Sequence, residues 1–318
     1  MSTIAILFHG RERDTDHYLI SQYARFWRED GHRAIEVACE EKSVMADIGL
    51  LHVDLSVVPD EYLHRAKEFP IALNAAVSDI RKRTISENTV RPKSEWSGPV
   101  IVKSNLNFRG LPERCYRGAV GTSWTRLVER AYRKFIRIAS RHHADEFLAE
   151  GYTIYRRLSD VPKWVFQSEE LIVERFLPET QDGLYHIRML IALGNRYQCV
   201  RLGSKDPVVK AHNSVTTETI ETDMIVHKWR ETFQLDYGKI DYVVYDGVPI
   251  LLDVNKTVGA TSGYRDADKL SKSRRYIAEG LYDYVSGRCQ PYANRSMESA
   301  HDHIPPKDAN IDSTMLSR

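Results

Sequence analysis

Short apolar runs alternate with amphipathic stretches along the first quarter of the chain. The apolar runs lie at 3–10, 33–39, 48–58 and 70–76. Between the first two runs, Leu19, Tyr23, Phe26 and Trp27 recur at helical spacing, and Gly31 ends the predicted helix. A second helical stretch lies between the last two runs. Such alternation of short strands and helices predicts a small α/β domain built on a parallel sheet.

The rest of the chain contains more strands that follow one another through short turns. Apolar or alternating runs lie at 99–103, 171–176, 185–194, 196–204, 239–245 and 248–255, and helical stretches at 123–151, 218–235 and 266–287. Strands joined by short turns predict antiparallel pairing. The last stretch, 290–318, is polar and has no periodicity, so we expect it to be a disordered tail.

The last two strand runs predict a hairpin that carries oxygen-bearing side chains near its far ends. If the loop has three residues, with Gly247 left-handed, Asp241 faces Asp253 and Asn255 shares that face. Two carboxylates and an amide oxygen predict a Mg²⁺ site that phosphate oxygens complete. A two-residue turn would instead place the aspartates on opposite faces and leave an ordinary surface hairpin.

Lysine and arginine side chains lie at the end of one predicted strand and inside two neighbouring ones. Lys103 ends an apolar strand before a polar loop, an arrangement that offers a point charge to phosphates. Arg188 and Arg201 lie inside neighbouring strands, where either an ion pair or a polyphosphate would supply the anion that an arginine needs. Lys210 follows in a polar loop.

The strand run at 171–176 continues into an extended segment that ends at Glu179. Free backbone groups in such a segment would suit the edge of an adenine, and Glu179 would suit the ribose hydroxyls. An edge strand with Glu174 facing solvent is the alternative.

In the first domain, His52 and Asp54 lie towards the carboxyl end of a predicted parallel strand, where open α/β sheets bind ligands. With Asn74, they are the candidates for substrate contact, and a polar pair that caps the next helix is the alternative. The segment FHGRERD after the first strand lacks the glycine spacing of a dinucleotide site.

Composition narrows the class of protein. The 318 residues suit about two domains, and a net charge of +1 gives no electrostatic case for nucleic-acid binding. The basic stretch at 126–141 is therefore expected to be a solvated helix face. No apolar run approaches the roughly 20 residues of a membrane span, so we expect no membrane partner. The four cysteines are scattered, which favours a reducing cytoplasm over a zinc or disulfide framework.

The order of these features resembles the ATP-grasp superfamily over about residues 1–287. A small α/β domain precedes a strand that ends in lysine, an E-x-F-L-P-E connector, strands with arginines and a D-x-N strand. The resemblance implies an N-terminal domain at 1–90 and a two-lobed ATP-grasp domain with antiparallel sheets at 91–289. Its lobes would be 91–170, with a helical insertion near 123–150, and 171–289.

The resemblance also implies roles for individual residues. The phosphates of ATP would be held by Lys82 and Lys103, and Lys210 is included among the nucleotide-binding residues. Glu174, Arg175 and Phe176 would contact adenine through their backbone, and Glu179 would bind the ribose. The catalytic arginines near the γ-phosphate would be Arg188 and Arg201. The Mg²⁺ ligands would be Asp241, Asp253 and Asn255.

Two departures from the family pattern stand in the sequence. The family usually has glutamate where Asp253 stands, so this carboxylate is one methylene shorter. The loop at 104–113 contains a single glycine and is poorer in glycine than the usual phosphate-covering lid.

The function implied is a Mg-ATP-dependent ligase that activates a small-molecule carboxylate as an acyl phosphate for attack by an amine or another nucleophile. A non-catalytic ATP-binding module and a small-molecule kinase on the same fold are the alternatives. The substrates, the number of metal ions and the oligomeric state are left open.

Overall fold

A computed structural model describes residues 1–12, 14–41, 44–116, 152–260 and 267–295 of the chain. The helical insertion predicted near 123–150 and most of the predicted tail lie outside these ranges. Within the tail, residues Tyr292–Asn294 form a 3-10 helix. Among the described residues, no helix combines the length and apolarity that crossing a membrane requires.

The first four strands form the predicted parallel sheet, in the order β2-β1-β3-β4. They are β1 (Thr3–Phe8), β2 (Arg33–Ala38), β3 (Ile48–Leu51) and β4 (Ile71–Leu73), with helices α1 (Leu19–Glu29) and α2 (Asp60–Lys67) between them. Five of the six residues of β1 are buried, as expected for a parallel strand covered on both faces.

A three-stranded antiparallel sheet follows, in the order β6-β5-β7. Its strands are β5 (Val100–Ser104), β6 (Thr153–Tyr155) and β7 (Leu171–Arg175). The short helices α3 (Lys82–Ile85) and α4 (Leu111–Tyr116) lie before and after β5, and 3-10 helices lie at Asn107–Gly110, Leu158–Asp160 and Lys163–Gln167.

The third sheet has six strands, in the order β11-β10-β9-β12-β13, and β8 pairs with the start of β9. The strands are β8 (Glu179–Gln181), β9 (Leu184–Leu193), β10 (Arg196–Ser204), β11 (Thr216–Ile220), β12 (Tyr237–Tyr245) and β13 (Val248–Asn255). The remaining helices are α5 (Met224–Thr232), α6 (Ala267–Ala278) and α7 (Leu281–Val285), with a 3-10 helix at Ala211–Asn213. The expected fold class, a parallel sheet followed by antiparallel sheets, is confirmed.

The single helix predicted over 218–235 was wrong in its first part. Residues Thr216–Ile220 form strand β11 on the open edge of β10, and the helix starts only at Met224. The segment TTETI contains β-branched residues, which favour strands. Asp223 then caps α5, because its carboxylate accepts a hydrogen bond from the Ile225 backbone N–H.

Helix α1 and the sheet of the first domain share one core with β12 and the helices α6 and α7. Trp27 and Tyr23 of α1 are fully buried against β1 together with Tyr237 of β12 and Leu281 of α7. The indole N–H of Trp27 donates to the Ala278 carbonyl, 2.9 Å away. The parallel sheet is therefore packed against the six-stranded sheet, and this packing positions the site described next.

Candidate nucleotide and cation site

The hairpin of β12 and β13 pairs Asp241 with Asp253, although its turn is not the predicted one. Asp246 and Gly247 form a two-residue turn in which both φ angles are positive, and Tyr245 pairs with Val248. The expected three-residue loop was therefore wrong. A β-bulge after Asp241 shifts the register by one residue and brings the two aspartates opposite each other.

Each aspartate of this pair has a lysine beside it. The ammonium of Lys239, two residues before Asp241 on the same strand, lies 2.7 Å from Asp241 Oδ2. The ammonium of Lys82, from α3, lies 3.2 Å from Asp253 Oδ1. Burial disfavours the charged amines, but the neighbouring carboxylates outweigh it and raise the pKa of both Lys82 and Lys239.

The two carboxylates retain oxygen atoms that suit a hard cation. Asp241 Oδ1 is buried and has no hydrogen-bond partner among the described residues, whereas the buried Asp253 Oδ1 faces the Lys82 ammonium. Burial, opposed by Lys239, raises the pKa of Asp241, as expected for a carboxylate that lacks a full set of donors. Asn255 Oδ1 accepts a hydrogen bond from the Thr257 backbone N–H at 2.8 Å, which orients the amide.

This donor set fits Mg²⁺ if the ligand supplies most of the coordination. Within the described ranges, no group of three or more His, Cys, Asp or Glu side chains is arranged for metal binding. The protein thus offers two carboxylates and one amide oxygen, and phosphate oxygens or water would have to complete an octahedral shell.

A cavity of about 200 Å³ lies next to the aspartate pair. Its charged lining consists of Lys82, Lys103, Arg175, Lys210, Asp241 and Asp253. Its apolar lining includes Ile101, Phe176, Leu177, Pro178, Ile187, Val208, Val209, Val243 and Leu252. A lining that combines cationic and apolar residues suits a ligand that has both a polyanion and a flat ring.

The predicted lysines are held in place by pairing. Lys103 is buried on β5, and its ammonium lies 2.6 Å from Glu174 Oε2 on the neighbouring strand β7. Glu174 is therefore buried rather than facing solvent, and its Oε1 has no hydrogen-bond partner among the described residues. The ammonium of Lys210 lies 5.5 Å from the centroid of the Tyr152 ring, a cation–π distance.

The backbone of the predicted adenine contact is already occupied. The Arg175 N–H donates to the Asn88 carbonyl and the Phe176 N–H to the Pro99 carbonyl, both at 2.9 Å. Arg175 and Phe176 line the cavity, together with the linker residues Leu177 and Pro178. The N–H groups of Arg175 and Phe176 are thus bonded within the protein, because β7 pairs on both sides.

The two predicted catalytic arginines and Glu179 are not brought to this cavity. Arg188 pairs with Tyr242 and therefore lies on the face of the sheet opposite Asp241. The Arg188 guanidinium donates two hydrogen bonds to the Glu179 carboxylate, from Nη2 at 2.8 Å and from Nε at 3.0 Å. Arg201 Nη1 lies 3.5 Å from the same carboxylate. Although burial works against the anion, the hydrogen bonds from Arg188 and from the Val244 backbone hold the pKa of Glu179 below its usual range. The ion-pair alternative is the one that the structure adopts.

The three substrate candidates of the first domain lie in different environments, with His52 and Asn74 buried and Asp54 partly buried. Asp54 accepts hydrogen bonds from the Thr257 hydroxyl at 2.7 Å and from the Tyr18 hydroxyl at 3.2 Å. Thr257 therefore connects Asp54 to Asn255, because its backbone N–H donates to the Asn255 amide oxygen. His52 packs edge-on against aromatic rings, and neither ring nitrogen has a partner among the described residues. Asn74 joins β4 to β12 through both backbone groups of Tyr237.

Sequence reasoning missed Lys239 beside the aspartate pair and two residues that line the cavity. Lys239 shares the face of Asp241 because it is two residues away on the same strand, a spacing that the sequence displays. His186, whose Nδ1 has no partner among the described residues, and Tyr185 line the cavity from the start of β9. Their position at the cavity depends on how β8 and β9 pair, and no local sequence pattern predicts that pairing.

Three solved structures illustrate what the fold is similar to. D-alanine–D-alanine ligase from Bacillus anthracis complexed with ATP matches at 14% identity and a TM-score of 0.43, over 91% of this chain and 100% of that one. A RimK domain ATP-grasp protein from Sphaerobacter thermophilus matches at 12% identity and 0.46, over 89% and 100%. A RiPP-associated ATP-grasp ligase from Chryseobacterium gregarium, in complex with ADP and with a leader and core peptide, matches at 9% and 0.41, over 93% and 100%.

Proteins named as ATP-grasp are thus among the solved structures that this fold is similar to. No protein-family model matches the sequence, and a search of curated proteins finds no match.

Proposed function

We propose that the protein is a Mg-ATP-dependent ligase of the ATP-grasp type, which activates a carboxylate as an acyl phosphate for attack by an amine. One observation carries the proposal. Lys82, Lys103 and Lys210 converge on a cavity that also contains the Asp241–Asp253 pair and an apolar slot.

The cavity accounts for each part of a nucleotide. Phe176, Leu177 and Val209 offer apolar surface to a base, and burying such a ring stabilises the complex through the hydrophobic effect. The lysines offer point charges to the phosphates. Lys82 is well placed for this role, because it is almost fully buried and its ammonium already faces an anion.

Bound Mg²⁺, held by Asp241 and Asp253 with Asn255 beside them, would supply charge neutralisation to the phosphoryl oxygens. The chain's own contribution is Lys82, which lines the cavity. Its ammonium is buried beside Asp253 and would transfer part of its hydrogen bonding to phosphoryl oxygens when these enter. Preorganised charge of this kind is the main way in which proteins accelerate phosphoryl transfer.

The reaction balances as two displacements. A carboxylate oxygen of the substrate attacks the γ-phosphorus, the bond from that phosphorus to the bridging oxygen breaks, and ADP leaves. The amine then attacks the carbonyl carbon of the acyl phosphate, and inorganic phosphate leaves with the bonding electrons of the C–O bond. The nitrogen loses one proton in forming the amide.

The test is to measure ADP and inorganic phosphate together, with Mg-ATP and pooled carboxylates, in the presence and absence of pooled amines. A ligase releases ADP and phosphate in equal amounts and requires both pools. A small-molecule kinase would release ADP without phosphate, and a non-catalytic ATP-binding module would release neither. Either of the last two results rejects ligation.

A further inference from the structure

The segment that follows β13, residues 256–260, leaves the six-stranded sheet and runs along the first domain. The Leu19 N–H donates to the Val258 carbonyl at 2.8 Å, and the Ala260 N–H donates to the His17 carbonyl at 2.7 Å. These two hydrogen bonds form a short antiparallel bridge between the segment and the start of α1. The chain that carries Asn255 is therefore fixed to the first domain directly after the cation site.

Two side chains of this segment reinforce the junction. Lys256 is fully buried, and its ammonium donates to the Leu55 backbone carbonyl. The Thr257 hydroxyl lies 2.7 Å from Asp54 Oδ1 and 3.2 Å from Asn255 Oδ1. Because a hydroxyl has a single hydrogen, it donates to the nearer acceptor, the Asp54 carboxylate.

The backbone of Thr257 fixes the amide of Asn255. Its N–H donates to Asn255 Oδ1 at 2.8 Å, and an N–H can only donate, so the oxygen of the amide lies on this side. An amide oxygen accepts at two positions, so one remains for a cation. Thr257 is 4% exposed, and it joins Asn255 through its backbone and Asp54 through its side chain. The orientation of a cation ligand thus depends on a carboxylate of the first domain.

Asp54 and Thr257 are placed to act through Asn255 and not on the nucleotide itself. Neither is among the described residues that line the nucleotide cavity. Asp54 Oδ2 lies 3.2 Å from the Tyr18 hydroxyl, so both oxygens of this carboxylate have a partner within the protein. Such engagement is expected of a residue that holds another one in place.

We propose that Asp54 and Thr257 are positioning residues for the cation site, which keep the oxygen of the Asn255 amide available to Mg²⁺. The inference rests on the proposed function, because it is the Mg-nucleotide that would use Asn255. Hydrogen-bond partners of metal ligands typically change metal affinity by about 10- to 100-fold when they are replaced. The first domain then contributes to the cation site without contacting the ion.

The test is calorimetric titration of ADP at a series of Mg²⁺ concentrations, so it does not depend on turnover. Thr257→Val keeps the shape and the backbone N–H but lacks the hydroxyl, and Thr257→Ser retains the hydroxyl. We expect the Mg²⁺ concentration that half-maximally enhances ADP binding to rise about tenfold in Thr257→Val and to stay near wild type in Thr257→Ser. Thr217→Val, the same change at an exposed position of β11, should leave it unaltered.

ADP affinity without Mg²⁺ should be the same in all these proteins, because the lysines of the cavity are untouched, and this shows that the variants are folded. Asp54→Asn provides a second route, since a hydroxyl bonds a neutral amide less strongly than a carboxylate. Its Mg²⁺ requirement should rise in the same direction. The double variant should need no more Mg²⁺ than Thr257→Val alone, because both changes act through one hydrogen bond.

A wild-type Mg²⁺ dependence in both Thr257→Val and Asp54→Asn would overturn the positioning role. Equal losses of ADP affinity with and without Mg²⁺ would also overturn it, because they indicate a general loss of structure. If wild type itself binds ADP without any effect of Mg²⁺, or does not bind ADP, the proposed function is rejected and the inference with it.

Discussion

At the scale of single residues, the site consists of charges that are paired in advance. Lys82 and Lys239 are held by Asp253 and Asp241, and Lys103 by Glu174. Buried charges are retained at tolerable cost only when they are paired. A phosphate that enters can therefore take over these ammonium groups without the protein having to bring new charge into the core.

Replacing Lys82 with methionine should impair nucleotide use more than it impairs folding. The change removes a buried ammonium that faces the cavity and leaves Asp253 without its nearest cation. We expect the turnover of Mg-ATP to fall by on the order of 10², the usual cost of one lost phosphoryl contact. Steady-state ADP release measures this.

Lys205→Met is the matched control for that variant, since Lys205 is an exposed lysine close to Lys210 in sequence. Its turnover should remain within about twofold of wild type, because an exposed charge contributes little. Equal losses of turnover in the two variants would show that turnover depends on the overall positive charge of the protein and not on the position of Lys82.

At the scale of elements, the hairpin shows how a sequence can predict a contact through a wrong intermediate. Asp246-Gly247 favours a two-residue turn, and that turn alone would separate Asp241 from Asp253. The bulge restores the pairing by leaving one residue of β13 without a partner. Bulges depend on strand twist and neighbouring strands, so the residues of the hairpin itself did not reveal this one.

The position of Asn74 shows the same limit for the predicted substrate residues. Its polar side chain at a strand end suggested a ligand contact. In the structure the Asn74 side chain connects two strands. Its Oδ1 accepts a hydrogen bond from the Tyr237 N–H at 3.0 Å, and its Nδ2 donates to the Tyr237 carbonyl at 2.8 Å. Its backbone has a left-handed φ of 57°.

Asn74→Ala and Asn74→Gly should separate the two contributions of this residue. Both lose the side-chain hydrogen bonds, worth about 1 kcal/mol each. Alanine also carries the strain of the left-handed conformation, about 1–2 kcal/mol, which glycine avoids. We expect a loss of roughly 3–4 kcal/mol for alanine and about 2 kcal/mol for glycine, measured by urea unfolding. If Asn74→Gly is as unstable as Asn74→Ala, backbone strain does not contribute to the loss of stability in the alanine variant.

At the scale of the whole molecule, the parallel sheet and the six-stranded sheet share one core around β1, α1 and β12. His52 lies in this region, with its ring 4.7 Å from Tyr18 and 6.0 Å from Tyr237 between centroids. Burial, assisted by the positive charge of Lys256, lowers the pKa of His52 to about 3. The folded protein therefore keeps this imidazole neutral.

This lowered pKa predicts how acid affects stability. Below the ordinary pKa of 6.5 the unfolded chain takes up a proton on His52, and the folded chain does not until about pH 3. The contribution of His52 to the free energy of unfolding is therefore full above pH 6.5 and is lost as the pH falls. Relative to His52→Phe, wild type should lose about 1.4 kcal/mol of unfolding free energy per pH unit between pH 6 and 5. A pH-independent difference between the two would contradict the buried neutral histidine.

The overall architecture could be predicted from the sequence because it rests on local periodicity and on the order of the elements. The strand–helix alternation before residue 76 and the paired strands after residue 184 are both visible in single segments. The partners of Arg188 and Glu179 could not be predicted, because each depends on which faces of distant strands meet. Charge type alone did not distinguish a structural ion pair from a phosphate contact.

The central claim, that this cavity binds a Mg-nucleotide through the aspartate pair, is tested most directly by calorimetric titration of ADP with and without Mg²⁺. The titration compares wild type, Asp253→Asn and Asp246→Asn. Asp246 lies in the turn of the same hairpin, where asparagine is well tolerated. We predict Mg²⁺-dependent, saturable binding to wild type and Asp246→Asn, and loss of the Mg²⁺ dependence in Asp253→Asn. Binding to Asp253→Asn with the same Mg²⁺ dependence as wild type would contradict the account.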